Sequence, residues 1–134
     1  MRKIRHFIVI DDDSTNNLIC DFTIKRFDRE ANVRLFEKPE KALELIRQEY
    51  GDLAAEKKPT ILFLDINMPS MTGWEVLEVL KSFEEGIRDQ FLIYMLSSSI
   101  EDLSEEAGQF PFVAGFISKP LKVEKLQDLM KDQE

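Results

Sequence analysis

The 134-residue chain contains a single cysteine, no long hydrophobic run and no excess of basic residues. The lone Cys20 excludes an internal disulfide and a thiolate metal cluster. The apolar runs fall far short of the roughly 20 residues that span a bilayer, so we expect no membrane association. A net charge of −8 disfavours direct binding to nucleic acid, because phosphate contacts require a basic surface.

We expect no export signal at the amino terminus. Basic residues open the chain, but the apolar run that follows, residues 7–10, is too short for the hydrophobic region of a signal peptide. With the lone cysteine, this predicts a cytoplasmic protein. A composition of 43% hydrophobic and 33% charged residues is typical of a globular domain, which we expect to span residues 1–134 without an output domain.

Short apolar runs alternate with helical patterns along the chain. Runs typical of strands occupy residues 4–10, 33–36, 61–65, 91–96 and 113–118. Helical spacing predicts helices over residues 15–27 (capped by Ser14), from residue 39 onward, and over 74–83, 100–109 and 123–130. The polar stretch 51–58 fits either a helix or a loop. This alternation predicts an α/β fold, a doubly wound five-stranded parallel sheet with helices on both faces.

The central predicted strand ends in Asp65. Pro59 and Pro69 bound its apolar run, which is typical of a buried strand. Asp65 is then expected at the carboxyl edge of the sheet, where open α/β folds place ligands. Burying an unpaired carboxylate costs several kcal/mol, so partners or a metal must accompany it.

Other strand ends also carry charged or polar residues. Asp11-Asp12-Asp13 follow the first strand, Ser97 follows the fourth and Lys119 follows the fifth. Because parallel strands end at the same edge of a sheet, we expect these side chains to converge with Asp65. Carboxylates about 4 Å apart repel by about 4 kcal/mol per pair at an effective dielectric near 20, so the site needs Lys119 and a divalent cation.

Phosphoryl transfer is the chemistry that such a set of groups favours. Mg²⁺ binds through one or two carboxylates together with water and phosphate oxygens. The metal and Lys119 would neutralise the phosphoryl oxygens, Ser97 would donate a hydrogen bond, and a carboxylate would attack phosphorus. No glycine-rich loop follows the first strand, which disfavours direct binding of ATP.

The motifs resemble those of a response-regulator receiver domain of two-component signalling, similar to the single-domain chemotaxis regulators. The resemblance covers nearly the whole chain and rests on Asp11-Asp12, the run LDINMPSMTG over residues 64–73, Ser97 and the pair Lys119-Pro120. It implies the strand order 2-1-3-4-5, which is the order that general fold descriptions give for the chemotaxis member of this family.

The resemblance also implies roles for individual residues. Asp65 would accept a phosphoryl group from a sensor histidine kinase or a histidine phosphotransfer protein. Ser97 and Lys119 would hold the phosphoryl oxygens. The Mg²⁺ ligands would be Asp12, Asp65, the backbone carbonyl of Asn67 and, through water, Asp11.

A switch toward a partner is implied as well. Phe116 would occupy the aromatic switch position and act together with Ser97. The Lys119–Pro120 bond would be cis, an isomer that X-Pro bonds permit at low cost. Phosphorylation would change the face built from the helix before the fifth strand, that strand and the last helix, and so change binding of a downstream protein. In this function the chain is not an enzyme beyond self-phosphorylation from small donors and self-dephosphorylation.

Some positions depart from the family pattern, and others affect the lifetime of the phosphoryl group in the family. Ser98 stands where the family usually has alanine or glycine, which would narrow access to the phosphoryl group. Phe116 lacks the hydroxyl of the tyrosine often found there, so its switching would depend on packing alone. Asn67 and Ser99 occupy positions that tune phosphoryl lifetime in the family.

Two alternatives stay open. The sequence Asp11-x-Asp13-x-Thr15 resembles the haloacid-dehalogenase class of phosphohydrolases, with Asp11 as nucleophile and Asp13 as general acid/base. That class lacks support here, since no further acidic pair follows a later strand and no inserted cap domain shields a substrate from water. The haloacid-dehalogenase interpretation also gives Asp65 no catalytic or binding role. The other alternative is a receiver that has lost its chemistry and acts as a scaffold.

The first predicted helix carries two apolar stripes. Cys20, Ile24 and Phe27 form one, and Leu18 and Phe22 form the other. If the first stripe faces the core, the second is a candidate surface for a partner.

Overall fold

The structure, a computed structural model, describes residues 4–52, 54–98 and 103–132. Its strands are β1 (His6–Ile10), β2 (Asn32–Phe36), β3 (Thr60–Asp65), β4 (Phe91–Ser97) and β5 (Val113–Ser118). Its helices are α1 (Ser14–Phe27), α2 (Pro39–Tyr50), α3 (Gly73–Ser82), α4 (Glu85–Arg88), α5 (Ser104–Ala107) and α6 (Val123–Lys131). Within these ranges, no helix has both the length and the apolar composition needed to cross a bilayer.

The five strands form one parallel sheet in the order β2-β1-β3-β4-β5. This confirms the predicted fold class and the strand order that the resemblance implied. Alternate residues of a strand point to opposite faces of the sheet. In β1, Ile8 and Ile10 join the core that includes α2 and α3, whereas Phe7 and Val9 join the core that includes α1 and α6. Each face of the sheet therefore has its own hydrophobic core.

Strand β3 lies in the centre of the sheet, between β1 and β4. All six of its residues are buried. Leu62 and Leu64 pack into one core, and Ile61 and Phe63 pack into the other, which explains why the run is apolar without alternation. Asp65, the last residue of β3, is therefore the point at which the central strand leaves the hydrophobic interior.

The start of α1 differs from the predicted one. Asp13, not Ser14, is the N-cap, and its Oδ1 accepts hydrogen bonds from the backbone N–H of Thr15 at 2.9 Å and of Asn16 at 3.4 Å. The negative charge of Asp13 also interacts favourably with the positive end of the helix, an advantage that a serine lacks.

The predicted helices also differ in two other places. The single turn of α4 was not predicted, because four residues are too few to show helical periodicity. Of the helix predicted over residues 100–109, the described part contains only α5, and residues 100–102 lie outside the described residues. Gly108 and Pro111 follow α5, and both residue types are poor helix formers.

The described residues of the polar stretch 51–58 form no helix, and buried Gln90 holds the end of this stretch. Its side-chain Nε2 donates to the carbonyl oxygens of Tyr50 at 3.2 Å and Gly86 at 3.0 Å, and its Oε1 accepts from the backbone N–H of Lys58 at 3.0 Å. These bonds satisfy backbone groups at the end of the sheet opposite the candidate site and fix the entry into β3.

Candidate functional site

The register of the sheet brings the predicted site residues to one edge. Ile10 pairs with Leu64, so Asp11, which follows β1, and Asp65, which ends β3, lie at the same level of neighbouring strands. Asp65 pairs with Leu96, the residue before Ser97. Ser97 pairs with Ser118, and Lys119 comes next, with its backbone N–H donating to the Ser97 carbonyl at 2.9 Å. Residues that are far apart in the sequence therefore meet at the carboxyl edge.

Lys119 bridges two buried carboxylates. Its Nζ lies 2.8 Å from Oδ2 of Asp11 and 3.0 Å from Oδ1 of Asp65. Asp11 is 0% exposed and Asp65 is 5% exposed. Two ionised carboxylates so deep in a protein repel each other and lose hydration, and the ammonium group offsets part of both costs.

The environment changes the proton affinity of both partners. Burial raises the pKa of Asp65 to about 6, against the hydrogen bond from Lys119 and with the help of the nearby charge of Asp11. Burial works to lower the pKa of Lys119, but hydrogen bonds to Asp11 and Asp65 outweigh it, so that the pKa is raised. Lys119 is thus held as a cation, and Asp65 has a stronger affinity for a proton than an ordinary aspartate.

A third carboxylate completes an acidic cluster. Asp11, Asp12 and Asp65 each place one oxygen within 4.8 Å of the others, and Asp12 is exposed. The donor set consists of oxygen atoms only and faces one lysine, which leaves two negative charges uncompensated when all three acids are ionised. Oxygen ligands of high negative charge beside solvent suit a hard divalent cation that keeps several waters, and Mg²⁺ fits this description. Asn67, which the resemblance adds as a carbonyl ligand, is exposed in the loop after Asp65.

The switch residues of the resemblance lie beside this cluster. Ser97 is buried at the end of β4, and Ser98 after it is exposed. The Lys119–Pro120 peptide bond is cis. Ser99 lies outside the described residues.

Phe116 packs within an aromatic cluster. It is half-buried on β5, and its ring centroid lies 6.2 Å from that of Trp74. Trp74 in turn stacks on Phe110 at 5.8 Å, and Phe110 contacts Phe112 edge-on at 6.0 Å. The cluster joins the start of α3 to the segment that precedes β5.

Sequence reasoning missed two supports of the acidic cluster. A Cβ on Gly73 would lie 2.5 Å from the backbone oxygen of Asp65, so only glycine permits this approach of α3 to the end of β3. Asn16 is buried on α1 and donates to Asp11. The spacing Asn16, Cys20, Ile24 was a signal of its inward position, but polar residues were not assigned to the core.

Asp13 lacks the position that the haloacid-dehalogenase alternative requires. Its side chain caps α1, and its backbone N–H donates to Oδ1 of Asp11 at 2.9 Å. Because the carboxylate is engaged with the helix end, the site offers Asp65 and Lys119, not Asp13, beside buried Asp11.

The fold and the site together define a class of protein: a doubly wound α/β domain with an acidic, lysine-bridged pocket at the carboxyl edge of its sheet. A family model described as the response regulator receiver domain matches residues 7–131. The chain belongs to the response regulator receiver domain family, which sets the haloacid-dehalogenase alternative aside.

Individual relatives agree with this membership. The polar-differentiation response regulator DivK of Brucella ovis is 33% identical over 110 residues, which cover 78% of this chain and 88% of that protein. The sporulation initiation phosphotransferase F of Bacillus subtilis is 28% identical over 80 residues, covering 60% of this chain and 61% of that protein. A two-component response regulator from Cytophaga hutchinsonii has a solved structure with 28% identity and a TM-score of 0.84, covering 98% of this chain and 97% of that one.

The negative charge of Asp65 should lower the free energy of unfolding in the absence of metal. In EDTA at pH 8 we expect Asp65→Asn to raise the free energy of unfolding by about 1–2 kcal/mol, after allowance for solvent screening. Because the folded-state pKa is raised, to about 6, this cost is fully present above that pH and disappears as the pH falls toward the unfolded value near 4.

Urea unfolding of the wild type and the variant between pH 4 and pH 8 measures this difference. The exposed carboxylate Asp128 provides a control, and Asp128→Asn should leave stability unchanged over this range. A lower stability of Asp65→Asn at pH 8 would contradict the burial cost assigned to this carboxylate.

Proposed function

We propose that Asp65 is the phosphoacceptor of a two-component or phosphorelay response regulator. The phosphoryl group would come from a sensor histidine kinase or a histidine phosphotransfer protein, with Mg²⁺ bound. The observation that carries the proposal is the contact of Lys119 with Asp11 and Asp65 at the edge of the sheet. It puts a carboxylate, a fixed cation and further acidic groups within a few ångströms of each other, which is the arrangement that phosphoryl transfer requires.

In the proposed reaction an oxygen of the Asp65 carboxylate attacks phosphorus. The new O–P bond forms as the N–P bond to the donor imidazole breaks, and the electron pair of that bond stays with the nitrogen, which is protonated. Bound Mg²⁺ would supply charge neutralisation to the phosphoryl oxygens. Asp12, Asp65 and the Asn67 carbonyl would hold the ion directly, and Asp11 would hold it through water.

Lys119 and Ser97 would stabilise the product. An aspartyl phosphate carries about two negative charges where the carboxylate carried one, and the Lys119 ammonium, already 3.0 Å from Oδ1, needs only a small movement to reach the new oxygens. The Ser97 hydroxyl, on the neighbouring strand, would donate to another phosphoryl oxygen. Each hydrogen bond to a charged group contributes about 1.5–3 kcal/mol, so a few approach the roughly 5.5 kcal/mol that moves a two-state equilibrium from mostly off to mostly on.

The output face would consist of α5, β5 and α6. A cleft of about 440 Å³ runs along it and is lined by Phe116, Lys119, Lys122 and Lys125, among others. Because Phe116 lines this cleft and also contacts the Trp74 ring, inward movement of Ser97 and Lys119 would change its packing and so the shape of the cleft. A downstream protein would read this change. The lining of the cleft also includes Glu124 and Asp128, so it carries three lysines and two carboxylates.

The phosphodonor would dock on α1. Cys20 and Ile24 are buried under this helix, while Leu18 is 64% exposed and Phe22 is 65% exposed. These two apolar side chains face solvent on the helix that begins beside the acidic cluster. A protein that brings a phosphohistidine to Asp65 must cover the rim of the pocket, so it would also cover this apolar surface.

The compartment and the chain's own chemistry follow from this proposed role. As a signalling protein of the receiver family, the chain would act in the cytoplasm, where kinases of this type present their phosphohistidine. Its own chemistry would be limited to self-phosphorylation from small donors such as acetyl phosphate and to loss of the phosphoryl group to water. The phosphotransferase name of one relative describes chemistry of the same kind.

Mapping the labelled residue tests the proposed function. Incubation with acetyl phosphate and Mg²⁺ should add one phosphoryl group, and mass spectrometry after borohydride reduction should locate it at Asp65. Asp65→Asn should remove the label, because an amide is a poor nucleophile. Omission of Mg²⁺ should reduce labelling strongly.

Two outcomes would contradict the proposal. Label on Asp11 would restore the haloacid-dehalogenase alternative. Failure of the folded wild-type protein to accept phosphate or to bind beryllofluoride with Mg²⁺ would favour a receiver that serves only as a scaffold.

The docking surface is tested separately. Phe22→Glu places a charge in the apolar surface and should slow phosphotransfer from a phosphorylated histidine phosphotransfer domain at least about 10-fold, the loss of roughly 1.4 kcal/mol of binding. Labelling by acetyl phosphate should be unchanged, because a small donor needs no docking surface. Glu78→Gln, at an exposed position of α3, is the control. Equal rates for Phe22→Glu and wild type with the protein donor would contradict docking on α1.

A further inference from the structure

Asn16 is a buried amide with both of its donor hydrogens directed at defined partners. It is 6% exposed in the first turn of α1. Its Nδ2 lies 2.6 Å from Oδ2 of Asp11 and 3.8 Å from Sγ of Cys20, one turn further along the helix. A flipped amide would place Oδ1 against the carboxylate, so the contact with Asp11 fixes its orientation.

Asp11 is held from several sides. Its Oδ1 accepts from the backbone N–H of Asp13 at 2.9 Å, and its Oδ2 accepts from Asn16 and from Lys119. Asn17 donates to the backbone carbonyl of Asp11 at 2.9 Å. The carboxylate and the main chain of Asp11 are thus both fixed from the start of α1, and Asp11 is fully buried.

The two side chains that contact Oδ2 differ in what they do to its charge. Lys119 is a cation, it also contacts Asp65, and the proposed function gives it a second task at the phosphoryl group. Asn16 is neutral, so it orients the carboxylate without cancelling the charge that attracts a metal ion and its waters. When Lys119 moves toward phosphate, Asn16 is the side chain that still holds Oδ2.

We propose that Asn16 is a positioning residue for magnesium, which acts by fixing the Asp11 carboxylate in the direction of the ion. The inference rests on the Mg²⁺ site of the proposed function and adds to it a residue outside the set of ligands. Side chains that orient metal ligands typically contribute 10- to 100-fold to metal affinity. Asn16 fulfils the geometric condition for such a role, with a short bond to a fully buried acid.

Calorimetric titration with Mg²⁺ alone tests the role of Asn16. Asn16→Leu keeps a similar volume and removes the donor, and it should weaken Mg²⁺ binding about 10- to 100-fold. Asn16→Ser, with a shorter side chain suited to the first turn of a helix, should show the same loss and serves if the leucine variant does not fold. Thr23→Val, a change of another buried polar residue of α1, should bind Mg²⁺ as the wild type does.

A double-mutant cycle separates positioning from general damage to the fold. In an Asp11→Asn background, Asn16→Leu should cause little further loss of Mg²⁺ affinity, because the group that it positions is gone. The same fold-loss in both backgrounds would overturn the inference. So would Mg²⁺ affinity within 2-fold of wild type in both Asn16 variants, or an equal loss in Thr23→Val. Absence of Mg²⁺ binding by the wild-type protein would instead refute the metal site of the proposed function, and the inference with it.

Discussion

The ammonium group of Lys119 between the buried carboxylates of Asp11 and Asp65 is the contact on which the rest of the site depends. Asp11 follows β1 and Asp65 ends β3, and the register of these strands sets the two acids side by side. Lys119 follows β5, two strands away from β3. The sheet thus places two acids close together inside the protein, and it also positions the lysine whose charge offsets part of their repulsion. One lysine cannot neutralise three acids, so the pocket keeps a negative charge that the proposed Mg²⁺ would offset.

Helices α1 and α3 support this arrangement from the two sides of the central strands. Glycine at position 73 lets α3 begin directly against the end of β3. On α1, Asn16 and Cys20 face the interior, while Leu18 and Phe22 face solvent. Helix α1 therefore contacts an acid of the pocket with its inner side and exposes apolar side chains on its outer side. In the proposed function, a donor protein bound to the outer side would lie close to the groups that it must reach.

The sequence was sufficient to predict the convergence of Asp11, Asp65 and Lys119, because residues that end parallel strands share an edge whatever the details of packing. Strand ends are also easy to recognise where an apolar run stops at a carboxylate. The exposure of the Leu18 and Phe22 stripe was predicted conditionally and is confirmed, since Cys20 and Ile24 are in the core. The short helix α4 was missed because four residues show no helical periodicity. The role of the Asn16 amide was missed because buried polar residues depend on partners that only the tertiary structure brings near. The contact of Trp74 with Phe116 also joins distant elements by packing alone, and no local pattern encodes it.

The proposed competition between Lys119 and Mg²⁺ for the same carboxylates is tested most directly by the Mg²⁺ affinity of Lys119→Ala. The comparison is with Lys122→Ala, which removes an exposed lysine nearby. Removal of a unit charge about 4 Å from an ion is worth about 1 kcal/mol even in water, so Lys119→Ala should bind Mg²⁺ about 5-fold more tightly or better. Lys122→Ala should bind it as the wild type does. Unchanged or weaker Mg²⁺ binding by a folded Lys119→Ala variant would contradict the view that Lys119 and Mg²⁺ compete for the carboxylates of Asp11 and Asp65.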